Sequence, residues 1–306
     1  MRKILFILFV TVLALPAWAG KGKNASQPVN LSTERQQQFS YYWYAAKQAI
    51  EQKRYADALV LLNFCDALNP NDGQTLNFLG VLYNSLGQKE KAFTYFRRAF
   101  EAAPRDQWYK YSMALIDQRT EAGFYEALAV MEKAERLNSD NEPLLEQLGQ
   151  MYVTAGQWKK ALKTQDKLDR LKGYDGYSAI NRYRIYSLWE KPRKANNEID
   201  KLLAQDPANI QFIPSLILNN YAYYSATHRG DLKKAEQMSE RTIREQPNNP
   251  VYLDTYGWIM HLQGQDELAL FYLRKGLWNA TDETRPIIEM HIRQIESKNT
   301  THTRQK

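Results

Sequence analysis

From Leu76 to Pro104 the apolar positions recur in threes and fours: Leu76, Leu79, Tyr83 and Leu86, then, past Gly87, Ala92, Phe96, Ala99 and Phe100. That period lays one apolar stripe along each of two helices. Gly80, Ala92 and Ala99 are small residues among bulky ones, and two helices approach closely only where a side chain is nearly absent. Gly87 suits the positive φ of a helix C-cap, and Pro104 stops the second helix because it cannot donate the next backbone bond. The stretch predicts a helix hairpin inside a 34-residue unit, 73–106.

One hairpin cannot bury both of its faces, so the unit is expected to recur and to stack on copies of itself. The chain is aligned on the small residue of the first (A) helix, the alanine of the second (B) helix and the closing Pro. It then divides into 39–72 (Ala46, Ala58, Cys65, Pro70), 73–106, 107–141 (Ala114, Ala127, Ala134) and 142–175 (Leu145, Leu148, Gly149, Tyr152, Gly156, Ala161). Three more follow: 176–209 (Tyr186, Ala195, Pro207), 215–249 (Ala222, Ala235, Pro247) and 250–283 (Leu253, Tyr256, Gly257, Gly264, Ala269). The third unit carries one extra residue, read as a loop insertion that loosens its turn, and Ser139 in place of Pro. The fourth ends in Gly173, the fifth has Tyr183 where a small residue belongs, and Ile210 to Pro214 break the period.

The pattern Leu76-x2-Leu79-Gly80-x2-Tyr83, Ala92-x3-Phe96, Pro104 resembles the tetratricopeptide repeat. The stretch from Leu218 to Leu270 is similar to the paired repeats of bacterial envelope members of that family. The resemblance implies an all-α fold: a right-handed superhelical solenoid of about seven hairpins with a C-terminal capping helix. It also implies a non-catalytic scaffold whose A helices line a concave groove with positions 2, 5, 9, 12 and 13 of each repeat. Carried over, those positions are Trp43 and Lys47; Asn77 and Val81; Trp108, Tyr111 and Arg119; Glu146 and Gln150. In the later repeats they are Tyr177 and Arg184; Asn219 and Tyr223; and Asp254, Trp258 and His261. Rigid aromatic area with a few Arg and Asn donors suits a groove for a peptide or helical segment of an envelope or secreted protein, because little rotamer entropy is lost on binding. The same aromatics also suit wedges between neighbouring helices. A second reading is a glycan or peptidoglycan binder in which Trp43, Trp108, Tyr111 and Trp258 stack on sugars. The variety that grips an acidic C-terminus is not expected, since Lys47 and Val81 stand where it needs Asn.

The ends follow other rules. Arg2 and Lys3 precede an apolar run from Ile4 to Trp18, and Ala17 and Ala19 offer the small residues a signal peptidase needs. Residues 1–19 are therefore expected to be a signal peptide cleaved after Ala19, the alternative being an uncleaved anchor, although a span takes about 20 residues. This predicts a periplasmic or secreted protein without stable membrane insertion. Residues 20–38 read as a flexible leader with the start of the first helix near Thr33. Thr284 and Pro286 open a capping helix over 284–297 with Ile288, Ile292 and Ile295 on one face, followed by a disordered tail, 298–306.

Charge and chemistry change little. Lys and Arg number 41 against 34 acids, and both signs interleave along "QKEKAF", so no cationic stripe and no nucleic-acid partner are expected. Cys65, the single cysteine, falls where other units have Ala and reads as a buried small residue. HExxH, GxSxG, Walker and GxGxxG spacings are absent, and His228, His261, His291 and His302 form no metal cluster, His291 falling on a solvated face of the cap. No enzyme activity, cofactor or metal is expected.

Overall fold

A computed structural model describes residues 32–303. The signal segment, most of the leader and the last three residues lie outside the described residues. Those described form helices in consecutive pairs with no strand among them. They group into two compact units, the first ending at Asn138 and the second beginning at Ser139. The first holds α1 (Thr33–Glu51), α2 (Tyr55–Leu68), α3 (Gly73–Ser85), α4 (Lys89–Ala102), α5 (Trp108–Ile116) and α6 (Glu121–Leu137). The second holds α7 (Glu142–Thr154), α8 (Trp158–Lys172), α9 (Gly176–Leu188), α10 (Pro192–Gln205), α11 (Ser215–Tyr224), α12 (Leu232–Glu245), α13 (Pro250–Leu262), α14 (Asp266–Trp278) and α15 (Arg285–Thr303). Within each unit every odd helix through α13 packs on the even helix after it, and successive hairpins stack.

Two local devices make the hairpins. The A helices α3, α7, α9 and α13 start at Asp72, Asn141, Asp175 and Asn249, whose side chains accept backbone N–H bonds from inside the first turn. The B helices use the turn instead. Each of the seven A-to-B turns has one residue at positive φ: Lys53, Gly87, Arg119, Gly156, Glu190, Gly230 and Gly264. In five of them the next N–H reaches back five residues, as from Gln88 to the Tyr83 carbonyl at 2.9 Å, which closes a Schellman turn. Arg54, Gln157, Lys191 and Gln265 repeat the bond.

These left-handed residues are a ruler, and they correct the third unit. Arg119 stands 32 residues after Gly87, which puts Ser112 in the place of Gly80 and Trp108, Tyr111 and Leu115 in the places of Leu76, Leu79 and Tyr83. All four are buried, whereas Ala114, expected as the small core residue, is only half-buried. The extra length is not in a loop. It lengthens α6 to 17 residues where α4 has 14, close to one helical turn.

Packing explains the remaining small positions. A Cβ on Gly80 would sit 2.5 Å from the Phe96 ring, and one on Gly257 2.8 Å from Leu273 Cγ. In the fifth unit Tyr183 takes the Gly80 position, and the residue in the Phe96 position is the smaller Ile199; both are buried in one core. The break at 210–214 is ordered by a 3-10 turn, Pro207–Phe212. Ile213 plugs into the core, while the Arg241 guanidinium donates to the Ile210 and Gln211 carbonyls. In the sixth unit a π-helical turn, Ser225–Arg229, takes up the extra residue. The capping helix runs on to Thr303 rather than stopping at 297. Ile288, Ile292 and Ile295 are buried, as its stripe predicts.

Candidate functional site

In unit 1 the A helices α1, α3 and α5 share a face. Trp43 lies half-buried with its ring edge on Phe78, centroids 5.4 Å apart, so position 5 of one A helix touches the next. Lys47 is exposed, Val81 is half-buried, and Asn77 is half-buried with an Oδ1 that carries no hydrogen bond. Trp108 and Tyr111 do not belong to this face. Tyr111 is buried against Phe93 and Phe100 at 5.5 and 5.6 Å and donates its hydroxyl to Glu126 Oε1 at 2.7 Å. Burial and that carboxylate push its pKa well up. Arg119 is the left-handed turn residue, exposed past the end of α5 and not on the A helix. The ruler puts Tyr109 and Met113 at positions 5 and 9 of the face instead. Tyr109 is exposed with the Lys110 ammonium 5.7 Å from its ring centre. The signal was in the sequence: apolar 108, 111 and 115 flank Ser112 as 76, 79 and 83 flank Gly80.

In unit 2 the corresponding face is carried by α7, α9, α11 and α13. Position 9 is exposed in α7, α9 and α11, as Gln150, Arg184 and Tyr223. Tyr177, at position 2 of α9, is 59% exposed. Asn219 and Asp254, both at position 5, are buried. Asp254 Oδ1 is 2.8 Å from His291 Nδ1 on α15, and Trp258 stacks on that imidazole at 4.3 Å. His291 is therefore a buried link of the cap to α13, not part of a solvated face. His261 is held by Asp266 at 2.6 Å, and Glu146 is bound to Lys172 at 3.1 Å. Tyr183 is hydrogen-bonded with Asn220, which ties α9 to α11, and α11 packs on α13. What remains open across these three helices is Tyr177, Arg184 and Leu188, then Leu216 and Tyr223, then Val251, Leu262 and the outer part of Trp258. Leu188, Leu216, Val251 and Leu262 were missed because an isolated apolar residue on a helix reads as core.

No group of three metal-ligating side chains occurs among the described residues. Cys65 is buried and its thiol is pushed up to about 12 by burial and the nearby Asp72 carboxylate, which disfavours the thiolate. Two clefts of unit 2 lie elsewhere, one lined by Phe271, Arg274, Lys275 and Trp278, the other by Tyr174, Arg182, Glu198 and Lys201.

Residues 73–106 match the tetratricopeptide repeat family over the whole of the α3–α4 unit. Anaphase-promoting complex subunit 3 of Schizosaccharomyces pombe is 24% identical over 168 residues, 53% of this chain and 24% of that protein. The chain thus spans about a quarter of that relative's length. Among solved structures, Naa15/Naa10 bound to HypK-THB contains a chain with TM-score 0.58 and 16% identity, covering 86% of this chain and 39% of the other. The C-terminal part of a repeat-containing protein from Cytophaga hutchinsonii has TM-score 0.53 and 17% identity, covering 83% of this chain and 99% of the other. Both likenesses are of fold. Residues 73–106 are thus a tetratricopeptide repeat, and the recurring left-handed turns and small-residue crossings carry the same helix-hairpin fold along the other described residues.

Proposed function

We propose that this protein is a non-catalytic scaffold that holds a peptide or helical segment of a partner protein on its A helices, and that it does so after export, in the cell envelope or outside it. The observation that carries this is the open face of α9, α11 and α13, where Tyr177, Leu188, Leu216 and Tyr223 stand exposed around Arg184. Tyr and Arg are among the side chains that carry most of the binding energy at protein interfaces, and the exposed leucines extend the apolar area beside them. Two of the proteins it resembles are, by name, parts of multiprotein complexes. The sugar-stacking alternative loses two of its four platforms, because Trp108 and Tyr111 are buried.

Crosslinking and co-purification from the native host tests the reading. Wild type is expected to recover a protein partner that Arg184→Ala with Tyr223→Ala loses, and the double variant melts like wild type. Equal recovery by both sinks the assignment of this face. Export is tested separately: mass spectrometry of native material is expected to find the N-terminus at Gly20, and an intact Met1 overturns it.

A further inference from the structure

Residues 158–204, which form α8, α9 and α10, hold twelve Lys and Arg against six acids. That surplus of six compares with seven for the whole chain. The structure sorts these charges by face. Four of the six acids are held in ion pairs: Asp166 and Asp169 both bind Arg182, Glu198 binds Lys201 and the Tyr174 hydroxyl, and Asp200 binds Arg229 and Lys234. The outward face of α8 keeps Lys159, Lys163, Lys167 and Arg170 in one row, with Arg193 exposed on α10. Lys159, Lys163, Arg170 and Arg193 make no ion pair or side-chain hydrogen bond, and Asp166, the one acid within the row, is neutralised by Arg182. The matching positions of α4 are Glu90, Thr94, Arg98 and Glu101, where the signs mix and Arg98 is held by Asp66. A cationic row, not expected from the sequence as a whole, is thus built on one helix.

We propose that the outward face of α8 attaches this protein to an anionic phospholipid surface. Three features favour lipid over other anions. The row extends over about 16 Å of helix without converging, so it fits many dispersed charges better than one bound anion. Three of its four cations are Lys, hydrated point charges that need no bidentate geometry, unlike the Arg forks common at discrete phosphate and carboxylate sites. The row contains no exposed aromatic on which a base would stack. Attachment of this kind is peripheral, and no helix among the described residues is long and apolar enough to cross a membrane. It leaves the A-helix face free, so it stands apart from the partner reading.

Vesicle co-sedimentation of the purified protein tests it. Vesicles with about a third phosphatidylglycerol are expected to bind the protein, vesicles of phosphatidylcholine alone are not, and raising salt to about 1 M is expected to release it, since screening then acts within about 3 Å. The triple variant Lys159→Glu, Lys163→Glu, Arg170→Glu is expected to bind at least about a hundredfold more weakly, from the contribution of each cation near such a surface. The variant Lys89→Glu, Lys91→Glu, Arg97→Glu on α4 makes the same change of net charge and is expected to bind like wild type. Circular dichroism melts check that both fold, and Gln replaces Glu at the α8 positions if that variant does not. Equal binding to uncharged vesicles, equal loss by the two triples, or absence of vesicle binding overturns the proposal. So does retention on heparin or nucleic acid, but not on vesicles, through the same three residues.

Discussion

Gly80 and Gly149 occupy the same place in their repeats and read alike in the sequence, yet their surroundings differ. A methyl on Gly80 collides with the Phe96 ring, whereas one on Gly149 meets Thr164 Cγ2 at an ordinary 3.6 Å. Gly80→Ala is therefore expected to destabilise by about 1–3 kcal/mol through overpacking. Gly149→Ala is expected to be neutral or to gain up to about 1 kcal/mol from helix propensity. Thermal melts of the two decide it, and equal shifts would mean the crossings are equivalent. The turns make a second comparison. Lys53, Arg119 and Glu190 adopt the conformation that Gly87, Gly156, Gly230 and Gly264 provide without a Cβ, at a cost of about 1 kcal/mol. Glycine at each of the three is expected to stabilise by a few tenths up to about 1 kcal/mol, the added freedom of the unfolded chain offsetting part of the gain. Denaturant midpoints measure this directly.

At the scale of elements, side-chain links fasten helices that the hairpin alone would not hold. Asp200 on α10 accepts hydrogen bonds from Tyr221 on α11, Arg229 in the π turn and Lys234 on α12. Burial alone would raise this carboxyl, but the three donors outweigh it and hold the pKa below the free value of 3.8. A depressed carboxylate contributes stability that is fully present above the unfolded pKa and is lost as pH falls through the folded one. Asp200→Asn is therefore expected to cost about 1–3 kcal/mol at neutral pH, with the difference from wild type shrinking below pH 3.8. Unfolding curves at neutral and acid pH check the sign. A cost unchanged into acid would assign the effect to packing. The third repeat adds the converse case. There the core slid by two residues along α5 and α6 grew by a turn, changes that an alignment on alanines alone does not separate.

For the whole molecule the decisive contrast is between residues that hold the repeats together and residues left for a partner. Trp108→Ala opens a cavity in the core and is expected to cost about 3–5 kcal/mol with any loss of binding following the loss of fold. Tyr223→Ala, at 38% exposure, is expected to leave the melt within about 1 kcal/mol and to weaken a partner by up to about 2 kcal/mol. Calorimetry of both with the crosslinked partner separates the two roles, and a reversed order would move the binding surface off the A helices.

The sequence by itself determined the helices, their pairing and the repeat, because apolar period, small crossing residues, Asp and Asn caps and glycine turns are all local signals that act within a few residues of where they are written. It also sufficed to place Lys47, Tyr177, Arg184 and Tyr223 on an open face. Only the tertiary structure decided which aromatics are free. Trp108 and Trp258 look the same along the chain, but one is core and the other rests on His291, some thirty residues away. Burial at position 5 depends on the helix that follows in space, as His291 of α15 meets Asp254, and the cationic row of α8 depends on where Asp166 and Asp169 find Arg182. Those are pairings across space, and no local period encodes them.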